Sequence, residues 1–248
     1  MVNDLKHMVL LVSLLAAGCS EKELIQDNPQ ESFAIAKAPY EERNYEVAIK
    51  KLNEFKSRFP YSRYAIEAEL LIADSNFETN KFTEAGVAYE QFVKLHPKHE
   101  KTDLVLYRIG LCYWKDAPSE IDREQEYTQI SIKKWERLIK EFPQSPHSEQ
   151  AKQFIKAGKL RMAQAEDFIA RFYCKKSIWH SCAYHSLIIL ERFPEQTELA
   201  QAAIQRASLA LEKLAKEEPY GEQKNLFNRD ASQEELLKKA HDLSSRVK

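Results

Sequence analysis

The sequence predicts an all-α fold, a superhelix of about five helical hairpins, and three observations carry that prediction. The first is a register of prolines: Pro60, Pro97, Pro143 and Pro194 are spaced 37, 46 and 51 residues apart. Such spacing fits a helix-hairpin unit of roughly 34 residues that carries insertions. The second is what precedes each proline. Tyr45 and Phe82 stand fifteen residues before, Ala48 and Ala85 twelve, Leu52 and Tyr89 eight, and Phe55 and Phe92 five, the recurrence of one helix face. Looser copies place Ser131, Trp135 and Leu138 before Pro143, and Trp179, Cys182 and Ile189 before Pro194, with Ser186 at the bulky position. The third is composition: 248 residues hold only five glycines and no sustained alternation of β-branched residues, which leaves almost no room for strands or hairpin turns.

Apolar period and chain breakers place the elements in order. Helices at 30–42 and 44–58 form a hairpin ending at Pro60, and helices at 61–79 and 82–95 form one ending at Pro97. Those at 102–115 and 127–141 form a third, interrupted by Asp116-Ala117-Pro118-Ser119, a loop signal. A longer helix at 147–173 pairs with one at 178–192. Helices at 197–217 and 232–247 follow, the last opened by Ser232 with Glu235 three residues on, a capping box. Proline cannot continue a helix interior but is tolerated in a first helical turn, so each proline is expected to close one hairpin and open the next. Small side chains such as Ala48 and Ala85 let helix axes approach to about 8–10 Å while larger neighbours fill the groove. The pattern resembles the tetratricopeptide repeat.

Residues 1–18 read as an address. Lys6 and His7 precede an apolar run from Met8 to Ala17, closed by Ala16-Ala17-Gly18-Cys19, and ten residues fall short of the about twenty that span a bilayer as a helix. The segment resembles a bacterial lipoprotein signal, in which the cysteine is lipidated and becomes the mature N-terminus. That family usually has leucine three before the cysteine, where this chain has Ala16. An ordinary cleaved secretory peptide and an unremarkable apolar N-terminus are the other readings. Lipidation of Cys19 would give stable anchoring, since two or more acyl chains suffice. Ser20 rather than aspartate follows the cysteine, which by the same resemblance implies the outer membrane, with the protein body on its periplasmic face. Residues 19–29 then form a polar tether, residues 30–142 the first three repeats, and residues 143–248 the fourth and fifth repeats with a tail.

Lys and Arg number 37 and Asp and Glu 38, so the net charge is close to zero. No basic stripe with interleaved aromatics is present, so nucleic acid is not expected as a partner. Beyond Cys19 stand Cys112, Cys174 and Cys182, an odd number for an oxidising compartment. Cys112, in an apolar segment, reads as a small buried hydrophobe. Cys174 and Cys182 flank a predicted turn, and a bridge between them stays open because the seven intervening residues need not bring their Cα atoms within range.

Sequence motifs of catalysis are missing: there is no H-E-x-x-H, no G-x-S-x-G and no glycine-rich phosphate loop. His180 and His185 lie five apart, on different faces of one helix, and His96 and His99 adjoin Pro97, where they are expected to cap carbonyls or sit in solvent. The carboxylate pairs Glu41-Glu42, Glu217-Glu218 and Glu234-Glu235 lie in polar settings. No catalytic residue, cofactor or metal is expected, and the protein is not expected to be an enzyme.

In tetratricopeptide arrays the first helix of each hairpin lines a concave face. Taking Ala36, Ala73 and Gly110 as the small residues of those helices, the resemblance projects Phe33, Lys37 and Tyr40 inward from the first, Leu70, Asp74 and Phe77 from the second, and Tyr107, Leu111 and Trp114 from the third. The aromatics Phe33, Tyr40, Phe77, Tyr107 and Trp114 suit an extended peptide with bulky side chains; taken singly, each would more simply pack against neighbouring helices.

Longer stretches narrow the resemblance. The run from Leu95-His96-Pro97 through Asp103, Tyr107 and Gly110, the junction Arg58-Phe59-Pro60-Tyr61-Ser62, and the stretch from Ala165-Glu166 through Trp179 to Arg192-Phe193-Pro194 are similar to the BamD family of outer-membrane assembly lipoproteins. The likeness covers about residues 28–215. Asp167-Phe168 stand where that family usually has a tyrosine pair, and the charged segment after Pro219 does not align. The resemblance implies a non-catalytic scaffold of the β-barrel assembly (BAM) complex that binds the periplasmic (POTRA) domains of BamA and other BAM lipoproteins. It also implies that the N-terminal repeats receive the C-terminal segments of unfolded outer-membrane proteins. The competing readings are a periplasmic adaptor of the TolA-binding type and a pilotin for a pilus secretin.

Overall fold

The computed structural model describes residues 28–216 and positions 238, 239, 241, 242 and 245. The signal at 1–18, Cys19, most of the tether and the Ser232 capping box lie outside the described residues. Nine helices fill residues 28–216: α1 (Pro29–Glu41), α2 (Tyr45–Arg58), α3 (Arg63–Glu78), α4 (Phe82–Leu95), α5 (Thr102–Asp116), α6 (Glu126–Glu141), α7 (Ser148–Lys175), α8 (Trp179–Arg192) and α9 (Thr197–Lys216). Among the described residues there is no strand. The arrangement is all-α and tetratricopeptide-like, with bounds within two residues of those read from the sequence.

Two kinds of turn make seven of the eight connections between these helices, and each repeats; the eighth, between α5 and α6, is the longer loop over 117–125. After α2, α4, α6 and α8, the residues Phe59, His96, Phe142 and Phe193 take nearly the same conformation, φ −126 to −135° and ψ 46 to 64°. Their carbonyls then accept from Ser62, His99, Ser145 and Gln196 N–H at 3.0–3.1 Å. The four prolines occupy the second position of these β-turns, which their fixed φ suits, rather than a first helical turn as the sequence suggested. All four are exposed. Ser62 Oγ takes over as the N-cap of α3, accepting from Tyr64 N–H at 3.3 Å.

After α1, α3 and α7 the chain reverses through a left-handed residue: Arg43 at φ 59°, Asn80 at 60° and Ser177 at 57°. Asn44 N–H donates to Pro39 O at 2.7 Å and Arg43 N–H to Tyr40 O at 3.0 Å; Ile178 and Ser177 repeat the pattern onto Tyr173 and Cys174. These are Schellman caps, which satisfy the last free carbonyls of a helix. The cap after α7 settles the cysteine question: it folds the chain back so tightly that Cys174 and Cys182 come to a Cα separation of 4.9 Å and are bridged.

The chain divides between Asn80 and Lys81 into two units. In the first, α1, α2 and α3 bury Phe33, Ala36, Ala48, Leu52, Phe55, Ala68 and Leu71. In the second, α4 through α9 pack each on the next, and α9 also reaches α7. The residues that recur before the prolines are the core of both. Ala48, Leu52, Phe55, Ala85, Tyr89, Phe92, Ser131, Trp135, Leu138, Cys182, Ser186 and Ile189 are all at most 1% exposed. Each large apolar member contributes roughly 1.5–3 kcal/mol of burial. Ser186 fits because its hydroxyl donates to the Cys182 carbonyl at 2.8 Å. Cys112 is buried as expected, and its thiol is pushed up to about 12, chiefly by burial.

Candidate functional site

The projected positions fall on three helices, and the structure treats them differently. In the first unit, Phe33 is buried, tilted against Phe55 at 5.4 Å and stacked on Tyr64 at 5.2 Å. One turn on, Lys37 bridges Glu41 at 3.3 Å and Glu67 at 3.5 Å, fastening α1 to α3. Tyr40 is half-buried and meets Tyr45 edge-on at 5.6 Å. On α3, Leu70 and Asp74 are buried while Phe77 is half-buried.

In the second unit Tyr107 and Trp114 join one aromatic cluster. Tyr107 is buried and stacked on His147 at 5.0 Å, and burial raises its phenol above the ordinary range. Trp135 lies 6.5 Å from Tyr107 and 6.0 Å from Trp114, and Phe154 stacks on Trp135 at 4.8 Å while meeting Trp114 edge-on at 5.6 Å. The indole Nε1 of Trp135 donates to Tyr107 O at 3.1 Å. That approach depends on Gly110, where a Cβ would lie 2.3 Å from the same nitrogen. Trp114 and Leu111 remain half-buried, and the guanidinium of Arg161 lies 4.0 Å over the Trp114 ring. His147, Phe154 and Arg161 escaped the sequence reading because they come from the next hairpin, at no fixed offset from the repeat.

Phe33 and Tyr107 are thus mainly packing residues, whereas Tyr40, Phe77 and Trp114 keep accessible surface. His96 and His99 both pack on the Phe92 ring, at 5.0 and 5.1 Å, and His99 Nδ1 accepts from Lys101 N–H at 3.2 Å; they brace a turn. His185 is 2.7 Å from Glu166. Asp167, where the resemblance expects tyrosine, is buried between Arg206 and Arg171, the latter at 3.0 Å. Two cavities of the second unit, about 630 and 210 Å³, are lined by other residues, among them Val87, Leu95 and Lys134 in the larger and Phe82, Cys112 and Tyr127 in the smaller. Among the described residues no group of three or more His, Cys, Asp or Glu could hold a metal ion, and no helix is long and apolar enough to cross a membrane.

Proline-punctuated hairpins with small residues at the crossings and aromatic residues on the first helix of each hairpin define a tetratricopeptide-like scaffold. The chain belongs to the YfiO family of outer membrane lipoproteins, whose profile matches residues 25–226. It is 25% identical over 207 residues to the outer membrane protein assembly factor BamD of Vibrio cholerae, covering 79% of this chain and 86% of that protein. The proteins of the same name from Pasteurella multocida and Neisseria meningitidis serogroup A are each 26% identical. The alignments run over 217 residues (83% of each chain) and 235 residues (86% of each chain), respectively.

Proposed function

We propose that this protein is a non-catalytic scaffold of outer-membrane β-barrel assembly, held by lipid on Cys19 at the periplasmic face of the outer membrane. It docks the POTRA domains of the barrel-forming subunit BamA and companion lipoproteins, and its repeats over 30–142 receive C-terminal segments of unfolded outer-membrane proteins. The observation that carries this reading is the family match over residues 25–226 on a repeat scaffold. Client contacts are assigned to Phe33, Tyr40 and Phe77 in the first unit and to Tyr107 and Trp114 in the second. The half-buried members support that role, since an aromatic face left open to solvent suits bulky peptide side chains.

Purification of the membrane-bound protein followed by identification of its companions tests the assembly role, and Cys19→Ser should move the protein from the membrane to the soluble fraction. For client binding, Tyr40→Ala, Phe77→Ala and Trp114→Ala are the informative variants, because Phe33 and Tyr107 are too deeply packed to truncate safely. Unchanged affinity for a C-terminal client peptide in the folded triple variant would reject the assignment.

A further inference from the structure

Arg161 is the one feature of the aromatic cluster that packing does not explain. It stands on α7 three residues after Gly158, where a Cβ would come within 2.9 Å of Ile132 and 3.4 Å of Trp114. The missing side chain lets α7 seat closely, with the guanidinium carbon of Arg161 4.0 Å from the Trp114 ring centroid. A cation held over a ring face is attracted by the ring without using its N–H donors. Nη1 is buried and has no hydrogen-bond partner among the described residues. No acidic residue lies three or four positions from Arg161 on α7, where Ala157, Gly158, Gln164 and Ala165 stand. Burial lowers the affinity of this guanidinium for its proton, as expected of a charge removed from water without a counter-ion. Leaving a buried charged donor unpaired is costly, and native proteins rarely do so without a purpose.

We infer that Arg161, held on Trp114, is a carboxylate-binding site. With Nη1 buried, the two-pronged fork that this guanidinium offers a carboxylate is its other edge, Nε with Nη2, and one cation suits a monoanion better than a phosphate dianion. The half-buried rings of Trp114 and Phe154 beside it give an aromatic residue next to that carboxylate a surface to stack on. A peptide presents such a group either at its C-terminus or on an acidic side chain. The inference rests on the client-binding reading, since Trp114 belongs to the surface assigned to clients, and it names the atom group that reading leaves open.

The test is isothermal titration of the full-length protein in detergent with three synthetic peptides of one sequence ending in phenylalanine: the free acid, the C-terminal amide, and the amide with one internal residue replaced by glutamate. The free acid, or the glutamate-bearing amide where the side chain is the ligand, should bind about tenfold more tightly than the plain amide, the gain expected of one charge-assisted pair. Arg161→Gln should abolish that difference while helix content is retained, and Arg161→Lys should restore it only in part. Equal binding of all three peptides to the unaltered protein would overturn the site and leave client binding standing, as would a preference that survives in a folded Arg161→Gln protein. Failure of every peptide to bind would sink the client-binding reading and this site with it.

Discussion

Gly110 tolerates no side chain, and this is the sharpest consequence of packing at single residues. A methyl group there would lie 2.3–2.7 Å from three atoms of the fully buried Trp135 ring, which is held by its hydrogen bond to the Tyr107 carbonyl. Overpacking of this kind costs about 3 kcal/mol, so Gly110→Ala should lower the urea midpoint despite the higher helix propensity of alanine. A stability equal to the parent would mean that the indole can move. The three left-handed cap residues respond in the opposite sense. Arg43 and Ser177 carry a Cβ into a region that disfavours it, and glycine at either position should stabilise by about 0.5 kcal/mol after its extra freedom in the unfolded chain is subtracted. Asn80 tolerates the region better, so Asn80→Gly should change the thermal midpoint least of the three.

At the scale of elements, the hairpins were legible because their signals are local. Each proline and the small residue twelve before it lie within one repeat and define a turn and a buried position, while Tyr45, Phe82 and Trp179, fifteen before Pro60, Pro97 and Pro194, open α2, α4 and α8 as half-buried residues. What could not be read depended on residues brought together across hairpins. Asp167 looks like a surface acid in the sequence, yet it is buried against Arg206 of α9. Arg161 looks like one more solvated base, yet it lies on Trp114 of α5. The prolines were placed one structural step late because a β-turn and a first helical turn make the same demand on φ. The Cys174–Cys182 bridge was undecided for a similar reason: the reversal that closes it is set by Ser177, a residue with no left-handed signature of its own. That bridge ties the end of α7 to the start of α8. Closing so short a loop is worth about 2.5 kcal/mol in the chain-entropy account, so reduction or Cys174→Ala should lower the thermal midpoint by several degrees. Cys174 is the better site for the test, because Cys182 also fills a fully buried crossing position. An unchanged midpoint after complete reduction would show that the Schellman cap alone holds the hairpin.

For the molecule as a whole, near-balanced surface charge leaves the buried groups to set the alkaline limit of stability. Cys112 has its thiol pushed up to about 12 from 9.0, first by burial and then by Asp116. Tyr113 is pushed up to about 12 from 10.0, first by burial and then by Glu90, which accepts its hydroxyl proton at 3.2 Å. In both cases the folded state holds its proton where the unfolded state releases it, so the unfolded chain binds fewer protons and stability falls as pH rises. Below pH 9 neither group contributes a slope. Between about pH 9 and 10 only the Cys112 window is open, with a slope of up to about 1.4 kcal/mol per pH unit; above that it overlaps the windows of Tyr113 and of Tyr107, whose phenol burial also raises. Urea unfolding at a series of pH values should therefore show stability declining from about pH 9, and Cys112→Ala should flatten the decline between about pH 9 and 10 while leaving the steeper fall above it. Parallel declines in the two proteins across that interval would mean that the thiol titrates alike folded and unfolded, and that the crossing of α4 and α5 is open enough for solvent to reach it.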